Sequence, residues 1–387
     1  MTLFRIEIEM FLKALLIQLI LLLTALDSPS ATVLTLSAPS DYQVIQRQTA
    51  ASGDLVIRGS LADINAKDTR LEARMVANGK LSKWRRLAAT FAGGSFQATI
   101  KAPAGGWYQL EVRAARHGEV VAQTAIEHLG VGEVFVVAGQ SNAANHGEER
   151  QTSTSGRVAA FDGQHWQLCN DPQPGASGNG GSFLPPFGDA ISRRFNVPVG
   201  IIACGIGATS VREWLPIGVR FPNPPTLMNR VRQLPDGGWE SNGQAFDRLA
   251  AIIKQLGAHG CRGVLWHQGE SDANQTDSAR TLPGALYRDY LERIIRESRR
   301  MAGWEVPWFV AQVSYHVPGD EGSTEIRTAQ ASLWRDHIAF EGPDTDALKG
   351  PLRENGGRGV HFSGPGLRLH AACWVEKVAP CIEKETH

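Results

Sequence analysis

The sequence predicts an α/β fold of three layers, preceded by a smaller region made only of β-strands. From Gly132 onward, short apolar segments alternate with segments of helical periodicity, the order that places helices on both faces of a parallel sheet. Residues 32–129 instead contain short runs of alternating apolar and polar residues separated by Gly-rich turns, which is typical of an antiparallel β-sandwich. We therefore predict an accessory β-sandwich at 32–129 and an α/β domain at 130–387.

The individual elements of the α/β domain follow from its apolar patterns. Continuously apolar segments indicate strands that are buried on both faces; they occur at residues 134–138, 199–203, 263–266 and 308–313. Helical periodicity is clearest at residues 245–256, 285–297 and 324–337. The Gly- and Pro-rich stretch 171–188 is too irregular for the core, and we expect it to lie over the functional site.

The N-terminus has the pattern of a secretory signal peptide. Lys13 precedes an apolar run at residues 14–26, which is too short to span a bilayer comfortably. We predict that residues 1–31 are a cleaved leader, and we expect Met10 to be the true start because Glu7 and Glu9 are unusual in a leader. The mature protein would then be periplasmic or extracellular and would not insert stably into a membrane, although an uncleaved anchor is the alternative.

Charge and cysteine content exclude several functional classes. Basic and acidic side chains number 39 each, so no basic field favours binding to nucleic acid. The five cysteines have no metal-ligand spacing and the eleven histidines are dispersed, so we expect neither a metal nor another cofactor. An odd number of cysteines also leaves at least one outside any intramolecular disulfide.

The most informative segment is an apolar strand at residues 133–138 that leads into Gly139-Gln140-Ser141-Asn142. In parallel sheets, ligands and catalytic groups are found at the carboxyl ends of the strands. Gly139 allows a tight turn from which the Ser141 hydroxyl can project, which makes Ser141 a candidate nucleophile. The alternative is that Ser141 or Asn142 only caps the next segment.

Two later segments favour the catalytic interpretation. A second apolar strand ends in the polar loop 266–272, with the sequence Trp-His-Gln-Gly-Glu-Ser-Asp, and the segment 360–366 supplies His361 near the C-terminus. A serine nucleophile needs a base within hydrogen-bond reach and donors for the oxyanion that develops. Ser141, His361 and the amide donors between them in the chain meet these needs.

These three blocks together resemble the sialate O-acetylesterase and carbohydrate acetylesterase branch of the SGNH hydrolases. The resemblance covers residues 131–372 and rests on Gly-Gln-Ser-Asn, Trp-x-Gln-Gly-Glu-Ser-Asp and the late His-Phe-Ser-x-x-Gly. It implies a flavodoxin-like hydrolase domain. It also implies a serine esterase that removes O-acetyl groups from sialic acid or an acetylated polysaccharide through a covalent acyl-enzyme.

The resemblance assigns roles residue by residue. It makes Ser141 the nucleophile and His361 the general base, and the oxyanion would be bound by the N–H groups of Ser141 and Gly207 and by the side-chain amide of Gln268. Gln140 and Asn142 beside the nucleophile are expected to bind substrate. Gly207 could instead be only a turn glycine, and Gln268 could satisfy loop carbonyls.

One position departs from the pattern of the family. Most SGNH enzymes carry Asp three residues before the histidine, but here that residue is Arg358, which cannot accept the imidazole N–H. We expect a backbone carbonyl, such as that of Gly359, to orient His361 in a Ser-His dyad. The alternative is a carboxylate from another loop, and the candidates are Glu270, Asp272, Asp344 and Asp346.

Two further expectations concern the supporting acids and the class of protein. Glu270 is expected to brace the loops, because a buried carboxylate needs hydrogen-bond donors, and Asp272 is the other nearby acid. A different class remains open, namely a carbohydrate-binding or surface-assembly protein whose esterase site is vestigial. The retention of Ser141, Gly207, Gln268 and His361 favours the enzyme.

Overall fold

The computed structural model describes residues 33–62 and 68–386, so the predicted leader at 1–31 lies outside the described residues. The N-terminal region is built only of strands. They are β1 (Leu34–Ala38), β2 (Val44–Gln46), β3 (Ser52–Leu61), β4 (Thr69–Ala77), β5 (Lys80–Leu81), β6 (Arg85–Arg86), β7 (Thr90–Ala92), β8 (Ser95–Pro103), β9 (Gly105–Arg116) and β10 (Glu119–Gly139).

These strands form two groups around one apolar cluster, and all pairs within the groups are antiparallel except β2 with β10. The order β1-β3-β8-β7 makes one sheet, and β4 and β10 flank β9 in the other. Side chains alternate along β8 between exposed and buried, as the sequence pattern predicts. Leu55 and Ile57 of β3 and Leu110 and Val112 of β9 belong to the same buried cluster. The inward faces of both groups therefore share one core.

The remaining elements alternate between strands and helices. The strands are β11 (Val158–Phe161), β12 (Trp166–Leu168), β13 (Val199–Ala203), β14 (Arg220–Phe221), β15 (Val231–Gln233), β16 (Trp239–Ser241), β17 (Gly263–His267), β18 (Trp308–Gln312) and β19 (Phe340–Asp344). The helices longer than one turn are α1 (Leu184–Phe195), α2 (Gln244–Leu256), α3 (Gly284–Ala302), α4 (Thr324–Arg335) and α5 (Gly364–Thr386).

The central sheet has the order β12-β11-β13-β10-β17-β18-β19. Five neighbouring strands of this sheet, β13-β10-β17-β18-β19, are parallel and follow the 2-1-3-4-5 order of doubly wound proteins. Alternate residues of β10 face different cores. Val134 and Val136 pack in the cluster that includes residues of α2, α3 and α4, whereas Phe135 and Val137 pack in the cluster that includes residues of α1 and α5. The predicted α/β class is confirmed.

The order of the strands determines where a site can form. Chain direction across the sheet reverses between β10 and β17, and the carboxyl ends of the strands at such a reversal leave a crevice. Ser141 follows β10 and Gln268 follows β17, so both lie at this point. The predicted strands and helices of this region all occur near their predicted bounds. The irregular stretch predicted at 171–188 is shorter, because α1 begins at Leu184 with prolines in its first turn.

Strand β10 joins the two regions without a linker. It runs for 21 residues, pairing with β9 in its first half and with β13 and β17 in its second half. The predicted boundary between residues 129 and 130 thus lies inside one strand. Just beyond it, the fully buried carboxylate of Glu133 accepts hydrogen bonds from Arg47 (2.6 Å) and Arg262 (2.7 Å). No helix among the described residues is both long and apolar enough to cross a membrane.

Candidate active site

The turn after β10 presents Ser141 at the end of the sheet. Gly139 has a φ of +129°, and a Cβ atom at this position would lie 2.1 Å from the carbonyl oxygen of His267 on β17. Only glycine therefore allows the ends of β10 and β17 to approach this closely. Ser141 then begins a single turn of 3₁₀-helix, and its hydroxyl makes no hydrogen bond to any described residue. The hydroxyl is free to turn toward a base.

His361 is oriented by a carboxylate that the sequence analysis did not consider. Its Nδ1 atom lies 2.8 Å from Oε1 of Glu354, and its backbone N–H donates to the same oxygen at 3.1 Å. A carboxylate in this position holds the proton on Nδ1 and leaves Nε2 able to accept one. The expectation of a Ser-His dyad held by the Gly359 carbonyl is wrong, because the side chain of Glu354 occupies that role.

A compact turn brings Glu354 back to a histidine seven residues later. Asn355, Gly356 and Gly357 all have positive φ values, which reverses the chain within a few residues. The Glu354 N–H donates to the His361 carbonyl at 2.9 Å and closes the turn. A Cβ atom on Gly359 would lie 2.1 Å from Cγ of Glu354. The missing side chain at position 359 therefore makes room for the carboxylate.

This packing gives a direct prediction for Gly359→Ala. The added methyl group cannot coexist with Glu354 in its present position, so the carboxylate must leave the imidazole. We expect turnover to fall by about 10²- to 10⁴-fold, approaching the effect of losing a triad carboxylate. Steady-state hydrolysis of p-nitrophenyl acetate would measure the loss. Gly356→Ala, at a position where the added Cβ meets nothing within 4 Å, is the matched control for backbone strain alone.

Asn142 connects the serine turn to the histidine loop. Its Nδ2 atom donates to Oε1 of Glu270 at 2.9 Å and to the Val360 carbonyl at 3.3 Å. Both N–H groups of the amide are thus used within the protein, so only Oδ1 of Asn142 is left to meet a substrate. The contact to Val360 places Ser141 and His361 in one site.

Glu270 is a brace rather than a triad acid. It is 2% exposed and meets Asn142 and, at 3.9 Å, Nδ1 of His267, while no contact reaches His361. Burial raises the pKa of Glu270 to about 7, and the hydrogen bond from Asn142 opposes this shift. The carboxylate of Glu270 therefore connects the loop after β17 to the serine turn through the side-chain amide of Asn142.

The other three candidate acids are also used elsewhere. Asp272 is fully buried and accepts hydrogen bonds from Ser210, Val211, Arg212 and Gln268. Asp344 and Asp346 both pair with Arg327, and Asp346 also accepts from Ser314 and Tyr315. None of the three contacts the imidazole.

Gln268 and Gln140, the glutamines that we expected to bind the oxyanion and the substrate, form hydrogen bonds within and to the loop after β17. Gln268 is fully buried, and its amide nitrogen donates to Asp272 (2.7 Å) and lies 3.2 Å from both the Thr209 carbonyl and Oε1 of Gln140. With its N–H groups directed at these acceptors, Gln268 does not point a donor at an ester bound to Ser141. Oε1 of Gln140 accepts from the N–H of Ser271 at 3.1 Å and so supports the loop, while Nε2 of Gln140 has no acceptor among the described residues.

Gly207 lies beside the catalytic residues, but its N–H already has an acceptor. It donates to Oγ of Ser177 at 2.7 Å, and the same oxygen is 3.1 Å from Nε2 of His146. The ring of His146 stacks on that of His361 with centroids 5.5 Å apart. Gly207 is therefore part of the site, together with a serine and a histidine that the sequence analysis did not connect with it.

Comparison with known families identifies the class of the protein. Residues 131–345, more than half of the chain, match the family described as carbohydrate esterase, sialic acid-specific acetylesterase. The chain belongs to this carbohydrate esterase family. It is a carboxylic ester hydrolase, and the predicted resemblance is confirmed.

The fold of the esterase is also found in a solved structure. A carbohydrate acetylesterase from Xanthomonas citri is 19% identical and superposes with a TM-score of 0.53, over 92% of this chain and 77% of that one. At this identity the likeness concerns the fold alone. Comparison with curated proteins gave no match.

The match to the family ends before the histidine loop of the esterase. Ser141, Gly207 and Gln268 fall within the matched residues, whereas Glu354 and His361 follow them. The pairing of these last two residues rests on their geometry in this chain. A serine, an imidazole and a carboxylate hydrogen-bonded to that imidazole are the side chains that acyl transfer through serine requires.

Proposed function

We propose that this esterase removes O-acetyl groups from an acetylated carbohydrate by way of a covalent acetyl-enzyme. The observation that carries the proposal is the hydrogen-bonded pair of His361 and Glu354 beside the turn of Ser141. Membership of the carbohydrate esterase family supports the choice of an acetylated sugar, either sialic acid or a polysaccharide.

The reaction follows from the roles of these side chains. Oγ of Ser141 attacks the acetyl carbonyl carbon while Nε2 of His361 takes the hydroxyl proton, and Glu354 stabilises the imidazolium that forms. The oxyanion is bound first by the N–H of Ser141. Collapse of this intermediate breaks the bond to the sugar oxygen, which receives the proton from His361. A water molecule, deprotonated by His361, then attacks acetyl-Ser141; the bond to Oγ breaks, His361 returns the proton to Oγ of Ser141, and acetate is released.

The proposal also includes the domain architecture and the location of the protein. We infer that the helices and central sheet form the three-layer, flavodoxin-like domain of SGNH hydrolases, and that residues 32–129 form an accessory β-sandwich, which the shared apolar cluster supports. The apolar segment 14–26 supports export to the periplasm or the extracellular space. Mass measurement of the mature N-terminus after expression of the full chain in a secreting bacterial host tests the leader.

Acetate release is the decisive test of function. The purified protein would be assayed with acetylated xylan, O-acetylated sialic acid and p-nitrophenyl acetate, and acetate would be quantified enzymatically. Release from a carbohydrate, with an acetylated Ser141 peptide trapped by acid quench, is the expected result. Hydrolysis of the aryl ester alone would overturn the carbohydrate substrate, and no acetate from any of the three would favour a vestigial site in a carbohydrate-binding protein.

A further inference from the structure

The expected second oxyanion donor is directed at a side chain of the protein itself. The N–H of Gly207 donates to Oγ of Ser177 at 2.7 Å, which is a full hydrogen bond. A substrate carbonyl oxygen cannot occupy the same point while Ser177 remains there. The Ser177 hydroxyl therefore either moves away or meets the substrate in place of the Gly207 N–H.

The backbone of Ser177 is fixed on both sides, which argues against withdrawal of its segment. Its N–H donates to the Gly205 carbonyl at 3.0 Å, and its carbonyl accepts from the N–H of Asn145 at 2.9 Å. The side chain of Asn145 adds hydrogen bonds to the carbonyls of Gln173 and Ala176, at 3.0 and 3.3 Å. The hydroxyl is thus held against Gly207 by the same chain segment that follows Ser141.

The hydrogen-bonding capacity of a hydroxyl determines what Ser177 can offer. Serine has two acceptor positions and one donor hydrogen. The N–H of Gly207 occupies one acceptor position, and Nε2 of His146, 3.1 Å away, can fill the other when it carries the ring hydrogen. Burial, with a further contribution from His361, lowers the pKa of His146 and favours its neutral ring. In the tautomer of this neutral ring that carries its hydrogen on Nε2, His146 donates to Ser177, and the Ser177 hydrogen is left without a partner among the described residues.

A second donor that the family resemblance implies, the side-chain amide of Gln268, is also directed away from the oxyanion. The amide of Gln268 is turned toward Asp272 and the Thr209 carbonyl, and its side chain is fully buried. Of the three expected donors, only the N–H of Ser141 has no acceptor among the described residues. A polarised hydroxyl beside Gly207 would restore the second donor.

We propose that the hydroxyl of Ser177 is an oxyanion donor. Because its oxygen accepts a hydrogen bond from the Gly207 N–H, the hydroxyl is polarised and becomes a stronger donor to the ester oxygen. Gly207 and His146 fix the oxygen of Ser177, and its hydrogen binds the charge that develops on the acetyl carbonyl. This inference rests on the proposed acyl transfer at Ser141. Because the interaction strengthens in the transition state, its loss lowers turnover more than substrate affinity.

The test compares Ser177→Ala with Ser177→Thr, which keeps a hydroxyl, and with Ser153→Ala as the control. Ser153 lies in another loop, where its hydroxyl binds Asp189 at 2.7 Å. For Ser177→Ala we expect kcat to fall by about 10²- to 10³-fold with KM changed by less than about threefold, the scale for one oxyanion donor. Ser177→Thr should recover at least about a tenth of wild-type turnover, and Ser153→Ala should match the wild type.

A second measurement separates this inference from the proposed function. The rate at which a p-nitrophenyl alkylphosphonate labels Ser141 should fall in parallel in Ser177→Ala, since the phosphonyl oxygen uses the same donors. Unchanged or increased kcat in a folded Ser177→Ala protein would overturn the inference, and an increase would show that Ser177 blocks Gly207. Failure of the wild type itself to hydrolyse acetyl esters would instead reject the proposed function.

Discussion

Replacing Ser141 by alanine is expected to lower the turnover of acetyl esters by about 10⁴- to 10⁶-fold, the scale seen when a catalytic serine is removed. Ser141 is the proposed nucleophile because the turn at Gly139 places its hydroxyl at the carboxyl end of β10, where His361 also lies. Alanine fits the turn without strain, so the fold should persist. Acetate release and circular dichroism would be measured on the same preparation.

Covalent labelling gives this prediction an independent readout. A p-nitrophenyl alkylphosphonate should modify the wild-type protein at the peptide that contains Ser141, and mass spectrometry should find no modification of the Ser141→Ala protein. Labelling at another serine, together with wild-type turnover in the folded variant, would assign the nucleophile to that serine.

Replacing Glu354 by glutamine is expected to lower kcat by about 10⁴-fold, as removal of the carboxylate from a serine triad does. Glutamine keeps the size of the side chain, but it neither stabilises an imidazolium nor reliably holds the proton on Nδ1 of His361. The shorter carboxylate of Glu354→Asp should restore part of the activity.

The controls for Glu354 come from the acids that sequence reasoning put forward. Asp344→Asn removes a carboxylate that pairs with Arg327 of helix α4, and it should leave kcat within a few-fold of the wild type. His361→Ala sets the maximum loss. If Glu354→Gln retained most of the wild-type activity while His361→Ala did not, the base would be oriented by a backbone carbonyl after all.

The elements of the α/β domain could be predicted from the sequence because they depend on local patterns. Continuously apolar strands such as β10 and β17 and strongly periodic helices such as α2 identify themselves residue by residue. The identity of the orienting acid does not follow in this way. Glu354 reaches His361 only because three successive residues with positive φ reverse the chain, and a spacing of seven residues has no regular structure behind it. The Asn-Gly-Gly of this turn was the available signal.

The roles of the amides could not be predicted for a different reason. Sequence shows that Gln140, Asn142 and Gln268 can donate and accept, but not which partners they meet. All three are almost fully buried, and each uses its amide on another loop of the site. Buried polar groups must be satisfied within the protein before they can serve a ligand. Ser177 was passed over because its importance depends on Gly207, thirty residues later in the chain.

The uninterrupted strand β10 limits how this enzyme can be truncated and how its two portions can be exchanged between relatives. A chain that began at residue 130 would start in the middle of β10, and the buried carboxylate of Glu133 would keep Arg262 but lose its hydrogen bonds from Arg47 and Gln46. Loss of a hydrogen-bond donor to a buried charged group typically costs about 1 to 3 kcal/mol, a large share of the stability of a domain. The hydrolase portion is therefore not a portable module. Grafts between relatives should therefore exchange the whole of residues 33–139, including Arg47. We also expect the β-rich portion to keep a fixed position relative to the site, because the two portions share β10.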